Sequence, residues 1–368
     1  MCWELWNEVE QSTELCSEND EIDQIIKDWH DEMACYISGI DPFEHCISSS
    51  VGDYRYTDIF QNLDIVQQHN YQDIQIARSR LEIPFSLYII TKYGQNVFLS
   101  KPIFTGEFGF SVSRPPYAEE KDPKGVSLHN SLWSSLFSAS IGPASFWKWY
   151  YLDACGMYKH FSPIMNFCKR LPILSGTYTS HSTAVVHGKT LEFLNGIRTY
   201  YMIDSNETNI MGWSQDTAFA YQSLRWLTDS VRLENDTLIY YNIYNEIDTI
   251  FLPAFSFVDS VPYDTSGYLY TLNPTKRPQP SSNDNTIILP ITNQPVGSRY
   301  MVRWYDSETG NVYNGIYFAF VQMDNQGDKY VSFKFPSFIR NLNNHTVNNT
   351  FGDAVFVLDL FNEQYKRR

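Results

Sequence analysis

The feature that most constrains this chain is a change of period near Pro172. Before it, short apolar runs alternate with stretches of helical spacing; after it, helical spacing fades and strand-like runs follow one another. In the first half, Trp3 to Val9 reads as a strand ending in Asn7-Glu8. A helix follows from about Asp20, with Ile22, Ile25, Ile26, Trp29, Met33 and Ile37 on one face and Gly39 as its C-cap. His45 to Ser50 and Asp64 to His69 read as the next strands. Pro84 opens a second helix that turns Phe85, Tyr88 and Ile89 inward. Pro102 to Glu107 is a fourth strand, and Leu128, Leu132, Trp133, Leu136 and Phe137 mark a third helix. Ala144 to Trp149 is a fifth strand, and Ser162-Pro163 caps a last helix ending before Pro172.

Strand–helix alternation predicts parallel strands in a barrel or a doubly wound sheet. No GxGxxG follows any strand, so the dinucleotide-binding alternative is weak, and polar and aromatic residues gather at strand carboxyl ends, where barrel sites lie. In the second half, strands are expected at Arg198 to Ile203, Leu238 to Tyr244, Tyr268 to Thr271, Tyr300 to Tyr305, Tyr317 to Gln322, Tyr330 to Phe335 and Ala354 to Leu360. They imply a β-sandwich or a pair of small sheets, with a break at Pro278-Gln279-Pro280-Ser281-Ser282. The expected division is therefore α/β over residues 1–172 and all-β over residues 173–368. Strand alternation should send Tyr200, Tyr201, Trp304 and Tyr305 to a core face and a solvent face.

Charge and composition narrow the partners. The 27 Lys and Arg against 42 Asp and Glu give a net charge of -15, which repels nucleic acid and anionic lipid. No apolar run approaches the roughly 20 residues of a membrane span. Aromatic residues make up 16%, and rings with polar tips suit flat, hydroxyl-rich ligands such as sugars. The six cysteines form no CxxC pair, so buried free thiols are expected rather than a metal site. Sequons at Asn206, Asn235, Asn344 and Asn348 favour a secreted or extracellular protein, although the first residues do not form a signal peptide.

Two glutamates close predicted strands: Glu8 after Asn7, and Glu107 after Gly106. Hydrolysis of a glycosidic bond needs two carboxyl groups flanking the anomeric carbon, and a barrel converges strand ends on one mouth. The ordered elements Trp3-Glu4-Leu5-Trp6-Asn7-Glu8, His69-Asn70-Tyr71, Thr105-Gly106-Glu107-Phe108-Gly109 and Phe146-Trp147-Lys148-Trp149 resemble clan A glycoside hydrolases, with family 5, the cellulase-like retaining enzymes, nearest. The resemblance covers about the first half of the chain.

That resemblance implies strands four to eight of a (β/α)8 TIM barrel followed by an appended β-sandwich. It implies Glu8 as acid/base, Glu107 as nucleophile, and Asn7, His69, Tyr71, Trp147 and Trp149 as substrate-binding residues. Tyr71 would donate a hydrogen bond to Glu107, and Trp147 would stack on a sugar face. No cofactor is implied, and the expected partner is a carbohydrate. Strands one to three would come from an upstream segment or a second chain. A non-catalytic carbohydrate-binding protein with a degenerate barrel is the alternative, and an unrelated α/β interaction protein would leave the two glutamates apart. His45 and His129 are read as structural, and Glu4 and Glu10 are set aside.

Overall fold

The computed structural model describes residues 2–11, 20–52, 59–72, 83–98, 101–110, 125–169, 177–187, 190–193, 196–217, 231–234, 237–241, 247–251, 285–336 and 352–361. The expected strand at Tyr268 to Thr271, the Pro278 to Ser282 break, Cys16 and the sequons at Asn235, Asn344 and Asn348 lie outside these residues.

Four parallel strands form the first sheet: β1 (Cys2–Glu4), β2 (Cys46–Val51), β3 (Ile65–Gln72) and β4 (Ile103–Phe110), adjacent in chain order. Helix α1 (Asp20–Ile40) connects β1 to β2, and α2 (Ile83–Val97) connects β3 to β4. The fifth expected strand shrinks to one parallel bridge between Phe108 and Phe146, flanked by Phe108 N–H to Ser145 O at 2.9 Å and Trp147 N–H to Phe108 O at 3.0 Å. Helices α3 (Val126–Leu136), α4 (Trp149–Ala154) and α5 (Phe161–Cys168) complete this half-barrel.

The helices bury narrower stripes than their sequence patterns imply. In α1 the buried line is Ile26, His30 and Ala34, while Ile25 is exposed; in α2, Ile89 is exposed while Phe85 and Leu87 are buried. At about 100° per residue Ile25 stands about 100° from Ile26 and more from His30 and Ala34, and Ile89 stands about 200° from both Leu87 and Thr91, so both point away from these buried residues. Gly39 lies inside α1, which runs to Ile40 before Asp41 takes the Phe43 and His45 N–H groups. The thiols also depart from the expected burial: Cys2, Cys35 and Cys46 are exposed, and Cys155 and Cys168 half-buried. The first sits on the open edge strand, the second on the outer side of α1.

His30 ties α1 to the sheet. Its Nδ1 lies 2.7 Å from Ile26 O and its Nε2 3.0 Å from Ser49 Oγ in β2.

The remaining strands are β5 (Tyr178–Ser182), β6 (Ala184–His187), β7 (Thr190–Phe193), β8 (Ile197–Asp204), β9 (Asn209–Asp216), β10 (Val231–Glu234), β11 (Thr237–Tyr241), β12 (Ile247–Phe251), β13 (Thr286–Pro290), β14 (Arg299–Tyr305), β15 (Tyr317–Met323), β16 (Lys329–Lys334) and β17 (Asp353–Leu360). Eight of them make one antiparallel sheet, ordered β13-β16-β15-β14-β17-β9-β8-β5. Instead of a sandwich of two sheets, this single sheet curls around its own core. Tyr201, Ile203, Ile210, Tyr300, Val302, Trp304, Val321, Val331 and Phe356 meet inside the curl.

The alternation of Tyr200 and Tyr201 holds, yet neither side chain faces solvent. Tyr201 and Trp304 point into the curl, while Tyr200 and Tyr305 join Trp133, Phe137, Phe167 and Trp213 against the half-barrel helices. Strands β8, β9 and β17 are thus covered on both faces, which explains their unbroken runs of buried residues, polar ones such as Arg198, Ser214 and Asp353 included.

A polar knot pins helix α3 to the curled sheet. The buried Asp353 carboxylate accepts from His129 Nε2 at 2.9 Å and Ser307 Oγ at 2.6 Å, and also from Trp213 Nε1. Beside it, Gln215 Nε2 donates to Asn130 Oδ1 at 2.9 Å, linking β9 to α3. Among the described residues no helix is long and apolar enough to cross a membrane.

Two outcomes are expected. Asp353→Ala leaves three buried donors without their acceptor and should cost about 3–5 kcal/mol in urea unfolding; a loss below about 1 kcal/mol would show that the knot does not hold α3 to the curled sheet. Burial pushes the His30 imidazole below its ordinary value of 6.5, with the hydrogen bond to Ile26 O opposing. Its contribution to stability is therefore present above pH 6.5 and lost as pH falls through that value, since the unfolded chain then takes up a proton that the folded chain refuses. In His30→Gln the stability–pH curve should flatten just below that pH.

Candidate active site

The first sheet gathers four of the sequence-derived residues at its carboxyl end. Strand β1 stops at Glu4, and the next residues turn sharply into a 3-10 turn at Val9–Gln11. Glu8 lies in that turn with φ 49, in the left-handed region that non-glycine residues seldom adopt. The end of β2 holds it there. Ser49 Oγ and Ser50 N–H both donate to Trp6 O at 3.0 Å, and the Glu8 N–H donates to Ser50 Oγ at 3.1 Å. Small hydroxyl side chains can approach the turn this closely where larger ones would not fit.

His69 and Tyr71 stand two residues apart in β3 and so share a face. Their facing partner in β4 depends on an extra residue. Strands β3 and β4 pair in step as far as Gln68 opposite Thr105; next, His69 lies opposite Glu107. Gly106 is the unpaired residue of a bulge, and it reverses the in–out order of β4. Thr105 meets Gln68 Nε2 at 3.2 Å on the outer face, where Gln68 also reaches Thr91 of α2. Without the bulge, Glu107 would share that outer face. With it, Glu107 turns toward His69, and Phe108 enters the apolar core against Phe146. A Cβ on Gly106 would lie 2.7 Å from the Gln67 side chain, so the bulge needs glycine or a displaced glutamine.

The resulting cluster is compact. His69 Nδ1 lies 2.7 Å from Glu8 Oε1 and 3.2 Å from Glu107 Oε2. The Tyr71 hydroxyl donates to Glu107 Oε2 at 2.5 Å. The donor atoms of Glu8, His69 and Glu107 all fall within 4.8 Å of one another. The imidazole is buried, whereas the Glu8 and Glu107 side chains are 21% and 15% exposed, so both carboxylates remain open to a ligand. When both carboxyls are ionised they only accept, and the ring proton then sits on Nδ1.

That assignment bears on metal binding. Glu8, His69 and Glu107 offer a two-carboxylate, one-imidazole donor set. A cation on Nδ1 would move the ring proton to Nε2, which is buried with no hydrogen-bond partner among the described residues. The cluster therefore suits a shared proton better than a metal ion.

Other residues lie at the rim. Asn7 is exposed, with its Oδ1 3.4 Å from Ser50 Oγ. Trp147 follows the bridge to Phe108, one residue from Glu107, and is 47% exposed. Trp149 is exposed at the start of α4, its ring edge-on to Tyr150 at 5.9 Å. Glu4 lies lower on the same sheet and accepts from Gln67 Nε2 at 2.7 Å. His45 and His129 bond to Asp41 and Asp353, away from the cluster. Sequence reasoning overlooked Ser49 and Ser50; the run Ser48-Ser49-Ser50 at a strand end was the available signal.

No family model matches this chain, and no curated protein is similar to it. Among solved structures it is similar to an arabinofuranosidase, at 9% identity and TM-score 0.33, over 92% of this chain and 62% of that one. An alpha-L-arabinofuranosidase from Thermotoga maritima matches at 8% identity and TM-score 0.32, with the same shares. A beta-porphyranase of glycoside hydrolase family 86 from Bacteroides plebeius matches at 11% and 0.32, over 95% of this chain and 73% of that one. The resemblance to glycoside hydrolases is a distant one, and the chain spans 62% of the length of the arabinofuranosidases it matches.

The bulge yields a test. Gly106→Val should force Gln67 off Glu4 or straighten β4, at about 1–3 kcal/mol in urea unfolding. Unchanged stability, with Glu107 still against Tyr71 in a crystal structure, would show that a side chain is tolerated there.

Proposed function

We propose that this chain is a retaining glycoside hydrolase, or the part of one that carries both catalytic carboxylates, acting on β-linked glycosides or polysaccharides. The observation that carries the reading is the approach of Glu8 and Glu107 to within 4.8 Å across His69. Retaining enzymes hold their carboxyl groups about 5–5.5 Å apart, whereas inverting enzymes need about 6.5–9.5 Å to admit a water. The preference for β-linked substrates comes from the resemblance of the ordered motifs to clan A.

In this mechanism Glu107 attacks the anomeric carbon while Glu8 protonates the departing glycosidic oxygen. The glycosyl–Glu107 ester then yields to a water deprotonated by Glu8, which restores both groups. Tyr71 donates a hydrogen bond to the Glu107 Oε2 atom and so fixes the carboxylate's orientation. His69 spans both carboxylates through one ring nitrogen, so it holds their spacing. Asn7 is assigned to a sugar hydroxyl beside the scissile bond, and Trp147 and, less centrally, Trp149 to stacking on apolar sugar faces. Residues 1–172 carry the chemistry in this reading; residues 173–368 form an accessory unit that supports it.

The test is turnover of aryl β-glycosides and of β-linked glucans and mannans, with the anomeric configuration of the first product followed by NMR. Retention is expected. Glu107→Gln should abolish the covalent step with the fold intact, and Glu8→Gln should lower kcat by about 10²–10⁴-fold. Inversion of configuration, or undiminished turnover in Glu107→Gln, would overturn the assignment.

A further inference from the structure

Glu10 is an acidic residue with 6% of its surface exposed, two positions beyond Glu8 and on the same turn. Its Oε1 accepts the N–H of Gly52, the residue that follows β2. A Cβ at that position would lie 2.7 Å from the Glu10 carboxylate, so any larger residue there would push the carboxylate aside. Burial pushes the Glu10 carboxyl up, against hydrogen bonds from its own N–H and from Gly52. Glu8 and His69 are the charged neighbours that bear on it. Surface glutamates have no reason to fold under a turn in this way.

Glu8 is thereby held from both sides. Ser50 grips the chain at Trp6 O and at the Glu8 N–H; Glu10 grips it two residues later, on the next position of the same strand end. Between the grips, Glu8 adopts its positive φ, and the Gln11 N–H closes the turn on Glu8 O at 2.9 Å. With only the first grip, a residue at φ 49 would be free to relax toward a negative φ, which swings its side chain away from His69.

We infer that Glu10 is a positioning residue for Glu8: its buried carboxylate, locked to the Gly52 N–H, holds the turn that aims Glu8 at His69. The inference rests on the reading of Glu8 as the acid/base. A misplacement of about 1 Å at a reacting group costs on the order of 10²-fold in rate, so the anchor would act on kcat rather than on substrate affinity.

The test uses the full chain in three variants. Glu10→Ala removes the acceptor; Glu10→Gln keeps an oxygen for the Gly52 N–H; Gly52→Val leaves Glu10 in place but pushes its carboxylate aside. The first readout is the His69 Nδ1–H resonance in 15N-resolved NMR, which needs no turnover. A downfield, exchange-protected signal is expected in the wild type and in Glu10→Gln, and its loss in Glu10→Ala and Gly52→Val. The second readout is kinetic: about a 10- to 100-fold fall in kcat with KM nearly constant in Glu10→Ala, restored by Glu10→Gln. Retention of the Nδ1–H signal in a folded Glu10→Ala chain would overturn the inference, as would a fall in melting temperature alone with kcat unchanged. If Glu10→Ala does not fold, Gly52→Val decides by the same signal. A wild type without glycosidase activity would refute the proposed function, while the NMR result would still decide what Glu10 does.

Discussion

The candidate site depends on a single extra residue in β4. A strand repeats every two residues, so a regular β4 would send Thr105 and Glu107 to the same face, toward α2. The bulge at Gly106 separates them: Thr105 stays with Gln68 outside, and Glu107 crosses to His69. The same shift sends Phe108 into the core, where it meets Phe146 and is fully buried. Core packing on one face and the Glu8–His69–Glu107 cluster on the other are therefore set by one register step. Any change that restored regular pairing would bury a carboxylate and expose a phenylalanine, and both changes are unfavourable.

The cluster also depends on groups that carry no chemistry themselves. The serines of β2 and the carboxylate of Glu10 bind the turn that carries Glu8, while His30 reaches from α1 to Ser49 in the same stretch. The end of β2 thus joins a helix outside the sheet to a turn at its mouth. Its side chains are small because three separate elements converge there.

The curled sheet is bound to the half-barrel by more than apolar contact. Tyr200, Met202, Met211, Trp213, Tyr305, Val355 and Val357 share one core with Phe85, Leu132, Trp133 and Phe167. Within that core, Asp353 and its three donors fix the relative position of α3 and β17. A buried carboxylate with satisfied hydrogen bonds tolerates few alternative packings, so it favours one arrangement of α3 on the curled sheet over its near neighbours.

The period of the apolar residues was enough to place strand–helix alternation before Pro172 and strands after it, because burial on one face writes that period directly into the chain. The types and order of Asn7, Glu8, His69, Tyr71 and Glu107 likewise marked candidates at strand ends. Local patterns carried no information about what covers an element. Tyr200 and Tyr201 alternate as any strand does, and only the curl of the sheet and the helices against it decided that both are buried. Ile25 and Ile89 fit a helical stripe in sequence but fall outside the one that the neighbouring strands cover. The face on which Glu107 stands was equally undetermined, since a bulge is a relation between two strands. Nothing in the sequence near Glu10 marks it as buried; its partner, the Gly52 N–H, lies 42 positions away. Sequence fixes which residues can serve; the pairing of distant backbone groups decides which of them meet.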